Sequence, residues 1–210
     1  DCHTRPDAAM AIAACQDADT NGTAPTKNGN VGAGMGCTVG KYRGKETAMK
    51  SGFGTYAVQV GEIKVGAMVA VNALGDIFDP DTGAQIAGML TADGKGLRST
   101  EAELYADMAT PHNIFTGNTT IGAVITNAAF SKAELNKIAA MAHNGYARSI
   151  RPVHTTADGD SIYALSTGNQ TADINAIGTL AAYVMAKAVA RGAAAAAALD
   201  GFISVQELNQ

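Results

Sequence analysis

Apolar positions recur along this chain with two different periods. Tyr56, Val58 and Val60 fall at every second position, Val60-Gly61-Glu62 interrupts the run, and a longer apolar stretch follows from 65 to 71. That pattern predicts a β-hairpin. Further strands are expected at 120–126 and at Ser161-Ile162-Tyr163-Ala164-Leu165. Between them Ser131-Lys132-Ala133-Glu134 has the form of a capping box, and Leu135, Ile138, Ala139 and Ala142 share one face of the helix it opens. Ile177, Leu180, Val184 and Ala188 are spaced for a long helix over 173–199, which takes in the six alanines 193–198. Near the start, Thr4 reads as the N-cap of a short helix over 8–15, with Pro6 and Asp7 in its first turn. Residues 17–34, dense in Asp, Asn, Thr, Gly and Pro, read as a surface loop. The mixed stretch 83–112, with a short amphipathic segment at 101–108 before Pro111, reads as a surface excursion. Helices and strands in this order imply a layered α+β or α/β domain.

Composition narrows the class. The chain has 210 residues, 47% of them apolar, and no linker-like stretch divides two patterned halves, so a single globular domain is expected. A formal net charge of -4 with no basic run argues against nucleic-acid or membrane partners and favours a small-molecule or peptide substrate. Cys2, Cys15 and Cys37 are an odd, widely spaced set that suggests reduced thiols rather than a zinc site or a disulfide framework. No signal-like or membrane-spanning run is visible, and the cytoplasm is the expected compartment.

The most informative chemistry is at Gly117-Asn118-Thr119-Thr120-Ile121-Gly122. A threonine freed as an N-terminus carries its nucleophile and its base together: the hydroxyl attacks, and the α-amine, with an unperturbed pKa near ~8, takes the proton. By spacing alone the segment is also a glycosylation sequon, or a polar turn before a strand. Thr120 offers a rival hydroxyl one position on, which should face the other way once the strand begins. Downstream, Asp158 and Asp160 flank Gly159, either on one side of an extended backbone or in a solvated turn. Such carboxylates would hold an ammonium and orient a hydroxyl. Asn72, at the end of an apolar strand, is either a turn residue or an oxyanion donor. Gly32-Ala33-Gly34-Met35-Gly36-Cys37 lacks the last glycine of a dinucleotide fingerprint, and Gly40-Lys41-Tyr42 lacks the spacing of a phosphate loop. Residues 17–28 copy only half of a calcium loop, with Asn28 where the glutamate should be. His3, His112, His143 and His154 have no metal-ligand spacing, and a supporting role suits His154 best.

Gly40-Lys41, the run from Gly66 to Gly75, Gly117 to Asn127 and Arg151 to Asp160 together resemble the DmpA-like aminopeptidase family, which includes β-peptidyl aminopeptidases and nylon-oligomer hydrolases. The last two blocks are most similar to the nylon-oligomer hydrolase branch. The resemblance implies a four-layer αββα sandwich and self-cleavage between Asn118 and Thr119 into 1–118 and 119–210. It also implies an acyl-enzyme on Thr119 supported by Asp158, Asp160, Asn72 and Lys41, with no metal or organic cofactor. Peptides or oligoamides would be the substrates, and a homotetramer of processed protomers the working form. Family members carry a long additional N-terminal region, so this chain reads as a fragment or a processed chain. Acyl transfer, as in ornithine acetyltransferases, and a non-catalytic relative are the rival readings.

Overall fold

The computed structural model describes residues 5–22, 24–109 and 117–208. Helix α1 (Ala8–Asn21) is capped by Asp7, whose carboxylate accepts from the Met10 N–H. Thr4, the expected cap, lies outside the described residues, as do Cys2, His3, Pro111 and His112. The helix outruns its expected end at 15 because Asn21 donates to Asp17 one turn earlier, which draws part of the predicted loop into helical register. Cys15 and Cys37 are free thiols.

After α1 come the short strands β1 (Thr38–Val39) and β2 (Met49–Lys50), then the hairpin β3 (Phe53–Val60) and β4 (Ile63–Ala70), joined by Gly61-Glu62 as its periodicity requires. Four small strands follow: β5 (Asp76–Phe78), β6 (Gln85–Ala87), β7 (Met89–Leu90) and β8 (Leu97–Arg98), with α2 (Thr100–Ala106) behind them. This stretch is no mere surface excursion, since Ala87, Met89, Leu90 and Thr100 are buried around Asp76. The Asp76 carboxylate accepts from the Met89 and Thr100 N–H groups and the Thr100 hydroxyl, while burial pushes its pKa up to about 6.

The second half is β9 (Ile121–Ala128), α3 (Lys132–Ser149), β10 (Ile150–Arg151), β11 (Ser161–Gln170), α4 (Ile174–Ala194) and α5 (Val205–Leu208). Both halves of the capping box at Ser131 and Glu134 form. The main sheet has the order β11-β9-β4-β3, with β9 and β11 parallel and the other pairs antiparallel. A parallel pair needs a crossover, and α3 supplies it. Alternation then sorts the side chains. Val65, Ala67, Val69 and Val124 face the helical layer, where they meet Ile138, Ala142 and Tyr146 of α3 and Ile177, Val184, Met185 and Ala188 of α4. Each fully buried Ile or Met in this layer contributes about 2 kcal/mol. Met68, Ile121, Tyr163 and Leu165 are exposed.

Helix α4 stops at Ala194, short of the end its alanines predict. The Asn30 amide donates to the Ala197 carbonyl and accepts from its N–H, so it pairs with the tail as a strand would and holds it out of helical register. The α+β class expected from the sequence is the one observed.

Candidate active site

The site lies where strand ends meet at one end of the main sheet. Because β9 and β11 are parallel and in register, the segments entering them are neighbours: Asn118 bridges to Asp158, and the Ser161 N–H donates to the Thr120 carbonyl. Because β4 runs antiparallel to β9, its exit delivers Asn72 to the same place, and the Thr119 N–H donates to the Asn72 carbonyl over 2.9 Å. Lys41 arrives on a fourth segment, zipped to 74–75 by its own N–H donating to Leu74 and that of Gly40 donating to Gly75. Gly40 has φ of 69°, and a Cβ there would lie 2.1 Å from the backbone of Gly88 and Met89, so only glycine makes this turn.

Lys41 is 3% exposed. Its Nζ donates to Asn72 Oδ1 over 2.6 Å, and the Thr38 N–H donates to the same oxygen. With Oδ1 committed to donors, the other end of the amide is the NH2, and Nδ2 donates to the Gly117 carbonyl over 3.2 Å. The lysine thus sets the orientation that aims an N–H donor at the chain beside Asn118. Burial pulls the Lys41 pKa from the ordinary 10.5 to about 8, against the opposing fields of Cys37 and Asp158.

This depressed pKa makes a stability prediction. Between about pH 8 and 10.5 the unfolded chain holds a proton on Lys41 that the folded chain has released, so stability rises with pH across that window, by about 1.4 kcal/mol per pH unit at most. Urea unfolding at pH 7.5 and 10 should show a rise in the native protein that is larger than in Lys41→Met, where buried Lys50, whose pKa burial also lowers, still titrates. Parallel pH dependence in the two proteins would refute it.

The two carboxylates diverge. Asp158 Oδ2 accepts from the Thr155 N–H and hydroxyl, and its Oδ1 accepts from the Leu74 N–H at 3.4 Å. Asp160 Oδ1 accepts from the Thr120 N–H at 2.9 Å, while Oδ2 lies 3.0 Å from His154 Nδ1. Burial first, and the charge of Asp158 second, raise the Asp160 pKa, against the lowering effects of the Thr120 N–H and His154. Each carboxylate therefore ties a different strand entry to the β11 loop. Among the described residues no group of three His, Cys, Asp or Glu side chains is placed to hold a metal ion.

Thr119 is half-buried, and Thr120 is fully buried. The Thr120 hydroxyl is enclosed with no hydrogen-bond partner among the described residues. Gly159 is the element that sequence reasoning left without a role. Its N–H donates to the Asn118 carbonyl at 2.8 Å, and a Cβ on it would lie 2.7 Å from Thr119 Oγ1. The carbonyl and hydroxyl on either side of one peptide bond therefore both meet Gly159. Only the parallel register of β9 and β11 reveals this, and two single-strand patterns do not encode it.

Sheet, helical layer and converging strand entries make an α+β sandwich. The fold matches the L-aminopeptidase D-Ala-esterase/amidase of Ochrobactrum anthropi, a protein whose own structure is described as a variant of the Ntn-hydrolase fold, with a TM-score of 0.55 at 19% identity over 82% of this chain and 46% of that one. A Burkholderia β-aminopeptidase gives a TM-score of 0.55 at 18% identity over 88% of this chain and 53% of that one. The model of peptidase family S58 matches residues 1–206, and the chain belongs to that family. An uncharacterized aminopeptidase of Mycobacterium leprae is 39% identical over 83% of this chain and 49% of its own length. A 6-aminohexanoate-oligomer endohydrolase of an Agromyces species is 32% identical over 88% of this chain and 55% of its own. The chain thus spans about half the length of these relatives.

Proposed function

We infer that this chain is the self-processing part of an amidohydrolase whose nucleophile is Thr119. The observation that carries the reading is Gly159, whose N–H meets the Asn118 carbonyl at 2.8 Å while its α-carbon faces the Thr119 hydroxyl. In self-cleavage Oγ1 attacks the Asn118 carbonyl carbon, and the Gly159 N–H stabilises the oxygen as it gains charge. The C–N bond breaks and the hydroxyl proton passes to the departing nitrogen, which frees the Thr119 amine; water then opens the resulting ester, giving an Asn118 carboxylate and restoring the Thr119 hydroxyl. That amine then serves as base when Oγ1 attacks a substrate amide, giving an acyl-enzyme and releasing the leaving amine. Lys41, its pKa lowered by burial to about 8, keeps a positive charge at neutral pH beside the Asn72 amide that flanks this peptide.

Membership of a peptidase family and the names of the relatives support amide hydrolysis, on peptides or on 6-aminohexanoate oligomers. The exposed apolar side chains Met68, Ile121, Tyr163 and Leu165 favour an assembly of processed protomers.

Intact-mass analysis of the purified protein tests the reading. Two fragments meeting at Asn118 and Thr119 are expected, which light scattering finds associated as an oligomer under native conditions. Release of p-nitroaniline from alanine p-nitroanilide, or of 6-aminohexanoate from its oligomers, tells which amide is cut. An added amine that captures the acyl group in place of water would instead favour acyl transfer. A single uncut chain that releases neither product would favour the non-catalytic relative.

A further inference from the structure

Behind Asp160 lies a polar cluster that the proposed chemistry does not use. His154 Nδ1 lies 3.0 Å from Asp160 Oδ2, in a pair whose carboxylate side chain is only 3% exposed. The other ring nitrogen, Nε2, lies 3.2 Å from Nδ1 of His143 on α3. Buried Tyr146, one turn further along α3, sets its ring edge-on to His143 and 6.0 Å from His154. The backbone is bent to make this arrangement, because His154 has φ of 57°, a left-handed conformation that costs a non-glycine residue about 1–2 kcal/mol.

Asp160 Oδ2 accepts a hydrogen bond from His154 Nδ1–H, and with His154 neutral its Nε2 presents a lone pair to which His143 Nδ1 donates. We propose that His154, its ring held by His143, is a positioning residue for Asp160, locking the carboxylate's second oxygen while the Thr120 N–H locks its first, one residue from the nucleophile. The inference rests on the reading of Thr119 as nucleophile and of Asp160 as its partner. It accounts for a strained histidine, for a histidine pair in contact on one side of the site, and for both oxygens of Asp160 having donors.

The titratable groups facing Asp160 are Asp158 and His154 from its own loop and His143 and Tyr146 from α3. Burial and Asp158 raise the Asp160 pKa, and His154 opposes them. Removing His154 therefore raises it further. If Asp160 acts as a carboxylate, activity disappears as pH falls through that pKa, and the acid limb of the rate profile must move to higher pH.

The test follows self-cleavage of the freshly translated chain from pH 5 to 9, with the Asp160 carboxyl titrated by 13C NMR in the uncut Thr119→Ala background. His154→Ala should raise both the acid limb and the Asp160 midpoint by about one pH unit and so slow cleavage by up to about tenfold at pH values below both midpoints. His154→Asn, which tolerates the left-handed backbone and keeps a donor near the place of Nδ1, should recover most of the rate. A merely structural histidine would lower the rate without moving limb or midpoint, and that result overturns the proposal. Should His154→Ala not fold, His143→Phe carries the same test: it keeps the contact with Tyr146, loses the Nδ1 donor, and should move the midpoint the same way by a smaller amount, no movement again being refutation. If the native chain does not cut itself, the functional reading falls on its own. The carboxyl titration then decides whether His154 holds Asp160.

Discussion

Thr119→Ala should leave one continuous polypeptide of 210 residues, with no fragment ending at Asn118 even after prolonged incubation. The alanine keeps the strand entry, the Thr119 N–H bond to the Asn72 carbonyl and the Gly159 N–H bond to the Asn118 carbonyl, all of which are backbone contacts. It removes the oxygen that attacks, together with one methyl group. Thr119→Ser restores that oxygen with a freer χ1 and should cut, more slowly. Thr120→Val is the companion variant. The Thr120 hydroxyl is buried without a partner among the described residues, so its loss removes an unsatisfied polar group, and cutting should proceed. Intact-mass spectra of the three proteins decide the matter. Cleavage at the same bond in Thr119→Ala would assign the cut to an outside protease or another residue, and loss of cutting in Thr120→Val would move the nucleophile one position along.

How far the sequence carries depends on whether a feature is local or shared between distant segments. The hairpin around Gly61, the capping box at Ser131 and the apolar stripe of α4 each depend on residues within a few turns of one another, and all three form as their periodicity requires. Where a distant residue intervenes, local reading misleads. Asn30 intercepts the alanine tail at Ala197, 167 positions away, and no helix propensity contains that information. Asp76 gathers Met89 and Thr100 into a buried polar knot, which turned a predicted surface stretch into core.

The site divides in the same way. Lys41, Asn72, Thr119, Asp158 and Asp160 come from four separate segments, and their resemblance to a family's motifs named them. Their partners could not be named so. The orientation of the Asn72 amide follows from Lys41 Nζ at 2.6 Å, and Asp158 spends one oxygen on Thr155, so the pair of carboxylates that alternation suggested takes two different sets of partners. His154, the one histidine near these carboxylates in sequence, meets Asp160 rather than Asp158 because the backbone takes a left-handed turn at that residue.

Gly159→Ala should slow self-cleavage by at least about 100-fold while leaving the fold intact. The glycine is exposed to solvent and belongs to no helix or strand, so one added methyl removes no core contact. The local geometry is another matter, because that methyl would lie 2.7 Å from Thr119 Oγ1 and well inside van der Waals contact. Either the hydroxyl rotates away from the Asn118 carbonyl, or the β11 loop moves and takes the Gly159 N–H with it. The first outcome misplaces the nucleophile, for which a shift of about 1 Å can cost 100-fold, and the second loses an oxyanion donor worth about 100- to 1,000-fold. A time course of the freshly translated variant, read by denaturing gel beside circular dichroism, distinguishes slow chemistry from a lost fold. Cleavage at the native rate would show that the 2.8 Å contact between Gly159 and Asn118 plays no part in breaking the bond between Asn118 and Thr119.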